Sequence, residues 1–241
     1  MIVKTEAFVL HSLKYGEQKL IVDVFTRQQG RLSFVVPLPR SAKGRLKKQY
    51  FQPLTLLTIT FNYLPQQQLQ RLSDATIATP LPSLQTDAAK LAIGLFVAEF
   101  LYHALKGEQR NEPLFQYVWS ALQWLDGCSS PFANFHLVFL LHLSSFLGFH
   151  PNLEHYSPQS FFDLRAGTFC PTAPLHRDYL LPQEAAMMRL MMRMDLPTMH
   201  LFRMNRHERA RCLDVALTYY RLHLPDFPPL RSVGVLQELF Q

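Results

Sequence analysis

The sequence predicts an α+β protein: a small five-stranded antiparallel barrel, then an all-helical domain carrying one irregular insertion. Three observations carry this expectation. Short runs rich in Thr, Val, Ile and Phe, punctuated by Gly or Pro, fill residues 1–78. From Ala88 onward, apolar residues recur instead at three- and four-residue steps. Between them, TPLPSLQTD (79–87) breaks both patterns, which places a boundary between a domain at 1–80 and another at 81–241.

The first expected strand is EAFVLHSL (6–13), closed by a turn at Tyr15-Gly16-Glu17. In QKLIVDVFT (18–26), Leu20, Val22 and Val24 alternate with Lys19, Ile21 and Asp23, as in a strand with one face inward. A turn at RQQG (27–30) leads into RLSFVV (31–36), and PLTLLTITFNYL (53–64) and QLQRLSDATIA (68–78) complete the set. Five short strands in so few residues suggest a barrel that closes its own edges. The OB-fold is one such barrel; strand count and charge alone equally allow an SH3-like one.

In the second region, Ser83 or Thr86 is expected to cap a helix. Its apolar stripe is read as Leu91, Leu95, Ala98, Leu101, Tyr102 and Leu105. Further helices are expected over 112–125 and over Pro131–Leu147, the latter nearly all apolar and ended by Gly148. Residues 149–181 form an irregular excursion with four prolines and a possible hairpin, SFFDL and TFC around Arg165-Ala166-Gly167. Helices resume over 183–194, 205–224 and 233–240.

Composition narrows the function classes. Of 241 residues, 48% are apolar and 17% charged, enough for a core. Residues 1–80 hold 11 Lys and Arg against 4 Asp and Glu, so the whole net charge of +6 originates there. Such asymmetry points to nucleic acid or an anionic surface. The first residues lack the apolar core of a secretory signal, and Lys90, Glu99, His103, His136 and His142 interrupt the longest apolar runs, so no membrane span is expected. Three widely spaced cysteines suit a reducing compartment. The expectation is a cytoplasmic protein.

Residues 25–73 contain eight basic residues and no acid: Arg27, Arg31, Arg40, Lys43, Arg45, Lys47, Lys48 and Arg71. Five of these crowd PRSAKGRLKKQ (39–49). A merely solvated face mixes signs, so this run is read as phosphate-contacting, with Arg27, Arg31, Arg40, Lys43, Arg45, Lys47 and Lys48 as candidate DNA-binding residues. Tyr15, Phe34, Tyr50 and Phe51 are considered for base stacking. Alternation makes Phe34 a core residue, and Tyr50 beside the lysines joins the candidates. Arg203, Arg206 and Arg209 in RMNRHERARC form a second basic cluster, a candidate site for an acidic partner tail. MMRLMMRM (187–194) reads as core. No catalytic residues are expected: there is no Gly-rich phosphate loop, Gly-x-Ser-x-Gly, His-Glu-x-x-His or carboxylate cluster.

Taken in order, three stretches resemble the bacterial RecO family of DNA repair proteins. They are EAFVLHSLKYGEQKLIVDVFTRQQGRLSFVV, the loop PRSAKG with QYFQPLTLLTI, and the closing YYRLHLPDFPPLRSVGVLQEL. The resemblance spans nearly the whole chain. It implies an N-terminal OB-fold, binding of single- and double-stranded DNA, and annealing of complementary strands. It further implies action with RecR, loading of RecA on strands coated by single-strand-binding protein, contact with that protein's acidic C-terminal tail, and a place at the bacterial nucleoid. Many RecO proteins also hold a structural zinc on two Cys-x-x-Cys pairs in the excursion. Here LEHYSPQS has no cysteine and TFCPTAPLH has Cys170 alone, with Ala173 where a partner would stand. A structural zinc needs four good ligands. His150, His155, Cys170 and His176 are irregularly spaced, so the expectation is a metal-free insertion and no cofactor. The alternative to DNA binding is a protein-only adaptor whose charge merely solubilises; a nucleic-acid enzyme is a remote third.

Overall fold

The computed structural model describes residues 1–37 and 46–239. Two compact units form, residues 1–127 and 128–241. The boundary expected at 80/81 falls where the barrel's last strand gives way to helix.

In the first unit, β1 (Ile2–Tyr15), β2 (Lys19–Thr26), β3 (Gly30–Pro37), β4 (Leu56–Asn62) and β5 (Leu69–Thr79) close a barrel in the order β1-β2-β3-β5-β4. The closing pairs are antiparallel β1–β4 and parallel β3–β5. This is the OB-fold order, and it removes the SH3-like alternative. Inward-facing residues of alternating strands fill the interior, with Val9, Val22, Val24, Phe34, Val36, Ile59 and Phe61 all at or below 2% exposure. Phe34 meets Phe61 edge-on at 4.9 Å, which confirms it as core. The 3₁₀ turn Lys48–Phe51 adds Phe51 to that core, so its ring is not free to stack on a base.

Helices α1 (Pro82–Thr86), α2 (Ala88–Ala104) and α3 (Glu112–Gly127) complete the unit. Neither Ser83 nor Thr86 caps α2. Asp87 does, its carboxylate accepting from the Ala89 and Lys90 amides at 2.8 and 3.0 Å. The expected stripe is also corrected: Leu91 and Leu95 are 44% and 49% exposed, while Ile93, Phe96, Val97, Phe100 and Leu101 are buried. An almost wholly apolar helix has no unique apolar phase, and the aromatic face buries more area.

In the second unit, α4 (Phe135–Phe146) is the buried centre, with Leu137, Phe139, Leu140 and Leu143 fully covered. Gly148, at φ +85°, follows its end. The excursion is more ordered than its sequence suggests: β6 (Phe161–Asp163), β7 (Thr168–Cys170) and β8 (Tyr179–Leu180) form a sheet in the order β7-β6-β8. Then come α5 (Pro182–Met191), α6 (Arg206–His223) and α7 (Ser232–Leu239). Two residues of α6 hold the sheet region down. Tyr219 donates its hydroxyl to the Phe149 carbonyl at 2.8 Å, and the His223 Nε2 lies 2.9 Å from the Leu164 carbonyl. Met188, Met191 and Met194 are core.

Candidate nucleic-acid interface

The basic residues of the barrel separate into two groups once their partners are known. Arg27, in the β2–β3 turn, donates to Glu6 at 2.8 Å and to Glu112 at 2.6 Å, and these carboxylates raise its pKa. Arg31 is committed to the fold's interior. Its side chain is 15% exposed, donates to the Tyr102 carbonyl at 2.6 Å, stacks 4.7 Å over the Tyr102 ring and lies 3.7 Å from Asp23. Its cation therefore serves the seam between sheet and helix. Gly30 makes that seam possible. At φ +70° its α-carbon faces the 109–110 backbone, where a Cβ would overlap the Gln109 carbonyl carbon and sit 2.7 Å from the Arg110 amide nitrogen.

The second group faces solvent. Lys14 and Lys19 flank the β1–β2 turn, Arg71 lies on β5, and Lys47 and Lys48 open the 3₁₀ turn. Lys47 Nζ stands 6.0 Å from the centre of the Tyr50 ring, which is half-buried against the barrel core. Arg40, Lys43 and Arg45 lie outside the described residues. Internal pairing also blunts two acids of this region: Glu6 receives Arg27, and Asp23 receives the Ser33 hydroxyl and faces Arg31. These pairings take up as many cations as acids, so they leave the net charge of residues 1–80, 11 bases against 4 acids, unchanged.

Sequence reasoning passed over one feature of the sheet. Register places Tyr15, Lys19 and Pro37 in one row across β1-β2-β3, and Leu13, Ile21, Val35 and Arg71 in the next across β1-β2-β3-β5. These residues point outward, and Tyr15 and Leu13 are 56% and 55% exposed. The alternation of β2 carried the signal, because Ile21 stands on its outward side.

In the second unit, Asn205 caps α6 through a reciprocal bond with Glu208. Arg206 and Arg209 then line a shallow pocket with His136, Ala210, Leu213, Leu236 and Gln237. Arg209 donates to the Asn134 side chain at 3.0 Å and the Met204 carbonyl at 2.9 Å, and burial lowers its pKa. Arg203 is exposed on the preceding loop and is not among the lining residues. The pocket joins a cation to an apolar slot at a helix N-terminus.

The excursion's residues do not fit a zinc ion. The Cys170 thiol faces the Phe161 carbonyl at 3.9 Å, and the His176 Nδ1 accepts from the Asp178 amide while its Nε2 lies 3.3 Å from Asp163. His155 is exposed. Among the described residues, no three His, Cys, Asp or Glu side chains converge as a metal site requires. What binds the sheet instead is aromatic packing, Phe162 on Phe169 at 5.0 Å and Tyr156 on Phe169 at 5.1 Å, with an Arg165–Asp178 ion pair at its edge. Among the described residues no helix is long and apolar enough to cross a membrane.

Comparison with known proteins covers both units. The family described as "Recombination protein O N terminal" matches residues 1–81, and that described as "Recombination protein O C terminal" matches residues 85–232. Relatives named DNA repair protein RecO are 49% identical in Bacteroides fragilis, 48% in Phocaeicola vulgatus and 34% in Flavobacterium psychrophilum. Each match covers 100% of both chains.

Proposed function

The chain belongs to the RecO family of DNA repair proteins, and we propose that it acts as a nonenzymatic recombination mediator. In this reading it binds single- and double-stranded DNA without sequence specificity and anneals complementary strands in the bacterial cytoplasm. It works with RecR to help RecA load on strands coated by single-strand-binding protein. The observation that carries the reading is the sorting of charge on the barrel. Arg27 and Arg31 pair internally with the acids that would offset them, while Lys14, Lys19, Lys47, Lys48 and Arg71 face solvent. Phosphates neutralised by such cations release counterions, so affinity falls with salt by about 0.7 log units per contact on single strands.

The pocket at Arg206 and Arg209 supports docking of the acidic tail. A guanidinium beside an apolar slot matches a carboxylate-ended peptide with an apolar anchor. Arg203, exposed nearby in sequence, would add long-range attraction.

Fluorescence anisotropy with a labelled oligonucleotide and a labelled acidic tail peptide tests both parts. Charge reversal at Lys43, Arg45, Lys47 and Lys48 is expected to weaken DNA binding and flatten the log–log salt slope by about 3, with tail binding intact. Arg206→Glu is expected to do the converse. Unchanged DNA affinity and slope in the fourfold variant would favour the protein-only adaptor.

A further inference from the structure

The pocket at the start of α6 is nearly shut. The space between its walls measures about 20 Å³, room for a single water. A cavity that takes up a benzene ring is on the order of 150 Å³. As the pocket stands, the apolar anchor of a peptide has no way in, so a wall must move. Arg206, Arg209 and Leu213 belong to α6 and His136 to α4, while Leu236 and Gln237 of α7 complete the slot. The first two helices are bound to each other. The Tyr220 hydroxyl of α6 donates to the Leu140 carbonyl of α4 at 2.8 Å, and Arg209 donates to Asn134, just before α4, at 3.0 Å. The wall that can yield is α7.

That helix is held lightly. Its eight residues are too few to stay helical without packing. Among its described side chains only Leu236 is buried, at 1% exposure; Val235 is 52% exposed, and Gly234, Gln237 and Glu238 face solvent. Gly234 loosens it further. A Cβ there would meet nothing within 4 Å, so no packing calls for glycine, which is the weakest helix former after proline. The root of the segment is fixed, because Phe227 is 8% exposed with its ring 6.0 Å from Tyr220. Pro228 and Pro229 then form a stiff connection toward α7. The plug also has the chemistry assigned to the ligand, an apolar residue, Leu236, with an acid, Glu238, two positions on.

We infer that α7 is a latch on this pocket: Leu236 occupies the place of the tail's apolar anchor, and an acidic tail docks by displacing α7 from α4 and α6. The inference rests on the proposed docking of a tail at Arg206 and Arg209 and adds regulation to it. A site that is open for only a fraction of the time binds more weakly by that fraction. A lone tail is therefore held poorly. Many tails presented together on one coated strand raise the local concentration and keep the latch open.

The test uses the full-length chain with Leu236→Ala and Gly234→Ala variants, titrated by anisotropy against the labelled acidic tail peptide. Leu236→Ala removes the plug and should tighten binding about tenfold or more. Gly234→Ala strengthens the helix without a clash and should weaken binding about fivefold. Adding Arg206→Glu to Leu236→Ala should abolish the gain, which ties it to this pocket. In hydrogen exchange on the parent chain, the peptide should speed the amides of 232–239 and slow those at the start of α6. Weaker binding by Leu236→Ala, or protection of 232–239 by the peptide, would overturn the latch, because α7 would then be part of the site. A gain that survives Arg206→Glu would overturn it as well. Equal affinities in the parent and both single variants would sink the latch alone and leave the docking reading standing. A peptide that binds none of these chains would remove the docking reading and the latch with it.

Discussion

Single residues show where charge and burial part company. His136 sits on α4 at 1% exposure, and burial, reinforced by the Arg209 cation, holds its pKa down at about 3. The unfolded chain takes up a proton near pH 6.5 that the folded chain refuses. Stability is therefore full above about pH 6.5 and falls as the pH drops toward about 3, at up to about 1.4 kcal/mol per unit. Urea unfolding at pH 7 and pH 5 should show this group removing about 2 kcal/mol, and His136→Gln should flatten the pH dependence by that amount. Identical pH dependences would refute the assignment. The sequence sets this histidine within the apolar run FHLVFLL, a setting that fits a core position. It did not reveal the fate of Arg31, since a charge count records the cation and not the Tyr102 carbonyl 71 positions away that binds it.

At the scale of elements, the strands were legible because alternation, Thr and Val content and Gly-marked turns agree with one another. The helical face was not: α2 is apolar nearly all round, so Leu91 and Leu95 satisfied the period as well as the buried Ile93 and Phe96 did. The sheet within the excursion was only half visible, because β8 is two residues long and has no period to read. The two turns of the barrel make a matched experiment. Gly16 and Gly30 both have left-handed backbones, at φ +66° and +70°, but nothing stands within 4 Å of a Cβ at Gly16. Gly16→Ala should cost about 1 kcal/mol, the backbone penalty alone. Gly30→Ala adds a collision with the Gln109 and Arg110 backbone, which cannot rotate away, and should cost more than about 2 kcal/mol. Denaturant midpoints of the two variants decide the matter; equal costs would mean that the 108–110 segment moves aside freely.

For the whole molecule, the question is which stretch of chain folds alone. The barrel strands end at Thr79, yet Phe8 and Phe25, both fully buried, stack with each other and Phe8 with Phe115 of α3 at 5.5 Å. A fragment ending at residue 81 exposes this pair and loses the Tyr102, Glu108 and Glu112 contacts of the β2–β3 turn. Residues 1–127 should unfold cooperatively in urea, and residues 1–81 should unfold at clearly lower concentration with a broader transition. Equal midpoints would show a self-sufficient barrel. Order of synthesis gives the same seam another meaning. A ribosome releases the whole barrel sequence before it releases Tyr102 and Glu112, so the newborn chain has its strands in hand while Arg27 and Arg31 still lack half of their partners. During that interval the emerging protein is at its most cationic, close to the RNA that made it, and the arrival of α3 ends the exposure.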